Sequence, residues 1–315
     1  MATRTGRPAV LITGCSSGIG RAAAISLHEA GFRVYATARN PAALGDLADR
    51  GLRTLALDVT DEASMTRAVA AVEADGGAIR VLINNAGYGL YGPVEQQPMS
   101  EIRRQFETNF FGLVRLTQLV LPGMRRHGGG RILNVSSMGG RATLPGGAFY
   151  HASKYAVEAL SDALRMEVAQ FGIQVVLIEP GPVNTPWNQV AAGSLSTAVP
   201  GGGGGPSGPG GPSGPGGPSG PGGPSGPDGD GGGDPYAAYK AAVSASFDIV
   251  QEGPLARLGS TPEQVAAVIT RAVTARRPHT RYLINPVARS VVTLNRVLPG
   301  RAYDALLRRQ YKLPS

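Results

Sequence analysis

AVLITGCSSGIG, residues 9–20, is the stretch on which the fold turns. An apolar run suited to a buried strand ends in a loop carrying Gly14, Gly18 and Gly20, and helical periodicity begins at once. Without a Cβ, such a loop lets a diphosphate approach the backbone, and the helix that follows offers free amides and the positive end of its dipole. Alone, the loop also reads as a tight strand-to-helix connection, and its G-x-x-x-G-x-G spacing differs from the common G-x-G-x-x-G. The rest of the chain decides between these readings.

Downstream, short β-branched runs recur at 33–37, 53–57, 81–85, 131–136, 173–179 and 281–285. Between them, apolar residues fall at helical spacing over 19–30, 62–74, 101–126 and 151–170, and later over 236–250, 262–276 and 288–310. Thr261 and Pro262 open the 262–276 helix, and Pro299-Gly300 breaks the last one. This alternation predicts an α/β fold with a doubly wound parallel sheet of Rossmann type. The whole chain, 1–315, reads as a single catalytic domain with a helical extension at 286–315. From 191 to 235 the pattern stops, and 201–234 reads as a Gly/Pro/Ser loop insert. Its GPSGPG spacing matches a collagen repeat only formally, since a triple helix needs three chains.

With 315 residues, 42% of them hydrophobic, a large core is available. No apolar run reaches about 18 residues and the N-terminus lacks a signal-peptide pattern, so the cytoplasm is the expected compartment. Cys15 is the single cysteine and reads as small and buried. The net charge of +8 comes largely from the last 45 residues, among them Arg271, Arg281, Arg289, Arg296, Arg301, Arg308, Arg309 and Lys312. Their helical spacing, without interleaved aromatics, reads as a solvated face in preference to a nucleic-acid site or a membrane-surface contact.

The end of the second strand speaks to the cofactor. An acidic residue there would accept from a ribose hydroxyl and repel a 2′-phosphate. The chain has Ala38 followed by Arg39 instead, which favours NADP(H) over NAD(H), because a guanidinium pairs with phosphate bidentately. Asp58, with Val59 beside it, ends the third strand where a carboxylate can accept from an adenine amine. Gly14, Ser16, Ser17, Gly18, Ile19 and Gly20 form the candidate diphosphate loop.

Adding NNAG at 84–87, Ser137, YHASK at 150–154 and PGPVNT at 180–185, the chain resembles the short-chain dehydrogenase/reductases over residues 8–285. VYATAR and SMGGRATLPGGAFYHASK are most similar to the branch of 17β-hydroxysteroid and retinol dehydrogenases. The resemblance assigns Ser137 to the substrate oxygen, Lys154 to the nicotinamide ribose and Asn109 to a proton-relay water. It places Asn85, Ala86 and Gly87 on the cofactor wall, and Pro180, Gly181, Val183 and Thr185 near the nicotinamide. It also implies a homo-oligomer built through the helices at 101–126 and 151–170.

The residues themselves support acid–base chemistry. Tyr150 and Lys154 are four apart on a predicted helix and share a face. A free tyrosine has a pKa near 10, and a nearby ammonium with an oxidised nicotinamide favours the phenolate. Tyr150 can then exchange a proton with an alcohol or a carbonyl. Tyr236 and Lys240 repeat the Y-x-x-x-K spacing after the insert, with no serine-bearing strand before them, and read as coincidence. No metal-ligand spacing occurs. Trp187, Phe247, Leu255 and Leu258 predict an apolar pocket for a lipophilic alcohol or ketone, such as a steroid, retinoid or long-chain carbonyl. Two other readings are an epimerase or dehydratase on the same fold, and a non-catalytic nucleotide-binding scaffold.

Overall fold

The computed structural model describes residues 8–196, 234–251 and 259–314. The predicted insert, apart from Asp234, and Leu255 and Leu258 lie outside the described residues. Strands β1 (Ala9–Ile12), β2 (Arg33–Ala38), β3 (Arg53–Ala56), β4 (Ile79–Asn84), β5 (Gly130–Val135), β6 (Ile173–Pro180) and β7 (Arg281–Ile284) build one parallel sheet. Its order is β3-β2-β1-β4-β5-β6-β7. The helices are α1 (Gly18–Glu29), α2 (Gly45–Asp49), α3 (Glu62–Gly76), α4 (Met99–Phe106), α5 (Gly112–Arg126) and α6 (Ala148–Val168). They continue with α7 (Trp187–Ser196), α8 (Ala237–Gln251), α9 (Pro262–Thr274), α10 (Pro286–Val297) and α11 (Gly300–Gln310).

The strands are apolar on both faces because both faces are covered. Val10 and Ile12 join the core beneath α1 and α9, whereas Ala9 and Leu11 point into the core beneath α3, α5 and α6. Leu27, Leu82 and Leu116 are fully buried there, and truncating any of them to alanine costs about 2–5 kcal/mol. Thr261 and Gln264 cap α9 reciprocally, with Pro262 in its first turn, as the sequence predicts.

The chain leaves the sheet edge at β3 and returns to pair β4 with β1. That reversal opens a crevice at the carboxyl ends of β1 and β4, the natural ligand position in such sheets.

Three local features differ from the expectation. The predicted 101–126 helix is divided by a π turn over Glu107–Phe111, where Asn109 is drawn to the backbone of Tyr88, 21 residues earlier in the chain. Residues 191–196, read as the start of the loop, continue helix α7. Arg281 is not part of a solvated face: from β7 it reaches Glu158, Asp162 and Glu179. Among the described residues no helix is long and apolar enough to cross a membrane.

Candidate active site

A cavity of about 1390 Å³ occupies the crevice and extends under α7, α8, α10 and α11. Its first half is built on the glycine loop. Gly14 has φ +73°, a left-handed conformation that costs other residues free energy. Gly20 lies beneath the loop, where a Cβ would overlap Gly14 O and the Asn85 amide. Asn85 binds the loop to β4, donating from Nδ2 to Thr13 O at 2.9 Å and Gly14 O at 3.1 Å. Ser17 caps α1 without a side-chain hydrogen bond, so the first amides of the helix face the cavity uncapped. Gly14, Ser16, Ser17, Gly18, Ile19, Arg39, Asp58, Val59, Asn85, Ala86 and Gly87 line this half, while Gly20 supports it from behind.

Arg39 is exposed at the end of β2, and no carboxylate pairs with it among the described residues. Asp58 Oδ1 is taken by Thr60, accepting from its amide at 2.9 Å and its hydroxyl at 2.8 Å. Pro180, Gly181, Val183 and Thr185 follow β6 and line the cavity, with Thr185 against Gly18. An uncapped helix start and glycines at close approaches suit the diphosphate of a dinucleotide.

The second half is where Tyr150 and Lys154 stand, in the first turns of α6. The Ser137 hydroxyl lies near the Tyr150 phenol, which it makes easier to ionise, and Ser137 Oγ accepts from Gly139 N at 3.0 Å. Lys154 Nζ donates to Val135 O at 2.9 Å. Burial pushes the Tyr150 phenol up to about 12, with the nearby Ser137 hydroxyl acting against it. Burial also pushes Lys154 down to about 8. Burial thus works on the phenol against the acidifying influence expected of the ammonium and an oxidised nicotinamide. Asn109 lies behind the wall: Nδ2 donates to Tyr88 O at 2.9 Å and to Ser153 Oγ at 3.1 Å, and Oδ1 accepts from Tyr88 N at 3.0 Å.

His151 has a place that sequence reasoning did not give it. Nε2 accepts from Leu144 N at 3.2 Å, so Nδ1 carries the hydrogen and donates to Gly139 O at 3.0 Å. The ring thus pins the loop that carries Ser137 to α6. Its burial pushes it down to about 4 and keeps it neutral.

Around the phenol the cavity is aromatic. Tyr150 packs on Trp187 at 5.1 Å and on Tyr91 at 5.9 Å between ring centres, and Tyr91 packs on Phe247 at 5.0 Å. Val291, Leu307 and Tyr311 close the far side from α10, α11 and the turn after it. Tyr236 and Lys240 stay out of the cavity, turned to Glu95 and Asp234. Cys15 is buried, its thiol pushed up to about 12 by desolvation.

A doubly wound sheet whose glycine loop and Tyr-Lys pair open into one cavity defines a nucleotide-binding oxidoreductase fold. The chain matches the short chain dehydrogenase family over residues 8–193, and it belongs to that family, whose members use a nicotinamide cofactor. It is similar to the oxidoreductase YbbO of Escherichia coli (strain K12), 34% identical over 95% of this chain and 93% of that one. It is also similar to retinol dehydrogenase 8 of Homo sapiens, 38% identical over 60% of this chain and 63% of the other, as the motif resemblance implied. The crystal structure of a short-chain dehydrogenase from Streptomyces avermitilis superimposes with a TM-score of 0.72, at 30% identity, covering 98% of this chain and 97% of that one.

Proposed function

We propose that the protein interconverts a lipophilic secondary alcohol and its ketone, or an aldehyde, using NADP(H). The bound dinucleotide supplies the hydride donor or acceptor. Tyr150 exchanges the proton: it gives one to the substrate oxygen in reduction and takes one in oxidation. Ser137 holds that oxygen beside the phenol, Lys154 binds the cofactor ribose and supplies positive charge, and Asn109 fixes the backbone of Tyr88 and the water route behind it. The observation that carries the reading is that Tyr150, Ser137 and Lys154 line the same cavity as the glycine loop.

The apolar substrate is supported by the aromatic walls and by the similarity to a retinol dehydrogenase. Arg39 and the absence of an acid at Ala38 support NADP(H). We read the chain as one catalytic domain, whose helices α10 and α11 complete the pocket. Exposed Phe111, Tyr155 and Met166 support a homo-oligomer formed through α4, α5 and α6.

The test follows NADPH and NADH absorbance with a panel of hydrophobic ketones and alcohols. NADPH consumption with at least one long-chain or polycyclic ketone is expected. Tight cofactor binding without turnover on the whole panel would turn the reading into that of a scaffold, and conversion without net NADPH use would point to an epimerase.

A further inference from the structure

Behind Lys154 lies a buried ion cluster that the proton-transfer scheme does not use. Glu158 follows Lys154 by one turn of α6 and is 5% exposed, and Glu179 on β6 is 1% exposed. Arg281 pairs with Glu158, with Asp162 and, at 2.8 Å, with Glu179, and Arg141 reaches Glu179 from the rim at 3.4 Å. Glu158 is nevertheless only half satisfied. Its Oε1 and the hydroxyl of Ser136 are both buried and meet in no hydrogen bond of ordinary geometry, although Ser136 lies near enough to act on the carboxylate. They border the same space, since a Cβ on Gly140 would sit 2.8 Å from Ser136 Oγ and 2.9 Å from Glu158 Cγ.

Lys154 has the complementary deficit. It is 6% exposed, its nitrogen meets a backbone carbonyl, and among the described residues no carboxylate lies within ion-pair reach of it. A buried ammonium needs negative potential nearby, and the next carboxylate along its helix face is Glu158. We propose that Glu158 is a positioning residue that keeps Lys154 protonated, and that Arg281 sets how much of the Glu158 charge Lys154 feels. This rests on the reading of Lys154 as the cation beside Tyr150.

The charges around the pair agree. Lys154, faced by Tyr150 and Glu158 on its own helix, is pushed down to about 8 by burial, with Glu158 acting upward. Glu158 is pushed up to about 7 by burial and by Glu179, against the Ser136 hydroxyl and Arg281. Asp162 shares Arg281 with it, and Arg141 shares Glu179. Between about 7 and about 8 the carboxylate is ionised while the amine is still protonated, and in this window the support acts.

The chain has three lysines, Lys154, Lys240 and Lys312, so their Cε resonances can be resolved by carbon NMR on the full chain without added cofactor. Lys154→Arg assigns the Lys154 signal. In the wild type, Lys154 is expected to show a small step as Glu158 ionises near 7 and its own midpoint near 8. Glu158→Gln should lower that midpoint by about one unit, and Glu158→Asp should restore most of it. Lys240 and Lys312 should not move. In turnover, the alkaline limb of kcat/KM for reduction should shift with the Lys154 midpoint. An unchanged midpoint in Glu158→Gln overturns the proposal, even where stability or kcat falls. If that variant does not fold, absence of the lower step in the wild type overturns it too. A midpoint that moves as expected in a protein inactive on every carbonyl leaves the proposal standing and removes the functional reading instead.

Discussion

Lys154 Nζ lies 5.9 Å from the centre of the Tyr150 ring, and both side chains are buried. Burial drives the two groups in opposite directions, the phenol up to about 12 and the amine down to about 8. Each is held toward its neutral form. The phenol thus keeps its proton at neutral pH and is set to donate it. Acting as a base requires additional positive charge in the pocket, as an oxidised nicotinamide carries.

Tyr150→Phe removes the proton carrier and leaves the glycine loop untouched. Turnover should fall by about a thousandfold or more. NADPH affinity, read by fluorescence titration, should stay within about threefold, because the lost group serves the transition state and not cofactor binding. Residual activity within tenfold of the wild type would show that another group moves the proton.

Lys154→Met separates function from stability. The folded pKa of Lys154, about 8, lies below the ordinary 10.5, so between these values the unfolded chain binds a proton that the fold does not. The cost of the buried ammonium is fully present below 8 and disappears as pH rises toward 10.5. At pH 7 the methionine variant should be more stable by on the order of 1–3 kcal/mol and inactive. Denaturant unfolding checks this, and the gain should shrink at high pH. A destabilised variant at pH 7 would mean that the bond to Val135 and the attraction of Glu158 outweigh desolvation.

Much of the architecture was legible in the sequence, and what was not has a common cause. β1 and β2 announce themselves as apolar runs because both their faces are covered. The caps of α9 are local chemistry and were read from Thr261 and Pro262. The glycine loop and the Tyr150–Lys154 spacing are local as well, and the fold brings them to one cavity. The π turn at Asn109, by contrast, depends on Tyr88, and Arg281 meets Glu158 across 123 residues of chain. The burial of Tyr150 was not legible, because a helical spacing names a neighbour, whereas depth of burial is a property of the folded chain.

His151 gives a test of the loop that carries Ser137. Its folded pKa, about 4, lies below the ordinary 6.5, so as pH falls through this interval the unfolded chain gains a proton that the fold refuses. The wild type should lose up to about 3 kcal/mol from this source across that interval. His151→Gln should flatten the slope, measured by denaturant unfolding at several pH values. With the clamps on Gly139 and Leu144 altered, kcat should fall by roughly ten- to a hundredfold while NADPH binding persists. Equal pH slopes in both proteins would show that the ring is not held neutral.

Phe111, Tyr155 and Met166 are 50%, 41% and 76% exposed on the π turn and α6, a placement that leaves apolar surface in water unless a second copy covers it. Phe111→Glu with Met166→Glu should weaken self-association by more than about tenfold in sedimentation velocity. An unchanged mass would move the interface to another face.

Arg39 is the residue on which the proposed preference for NADP(H) is tested. The side chain is exposed at the carboxyl end of β2, beside the glycine loop, and no carboxylate neutralises it among the described residues. A 2′-phosphate there gains a bidentate partner, whereas a free ribose hydroxyl gains only one donor. Arg39→Asp replaces attraction with repulsion and offers an acceptor to the ribose. KM for NADPH should rise by about ten- to a hundredfold and KM for NADH should fall severalfold, while kcat at saturation stays nearly level, since the guanidinium is remote from Tyr150. The wild-type preference should also weaken with salt, because an exposed ion pair is screened at physiological ionic strength and above. If the substitution leaves KM for NADPH unchanged, the phosphate is not read at this strand end, and the choice between the two dinucleotides must be sought in another part of the cavity.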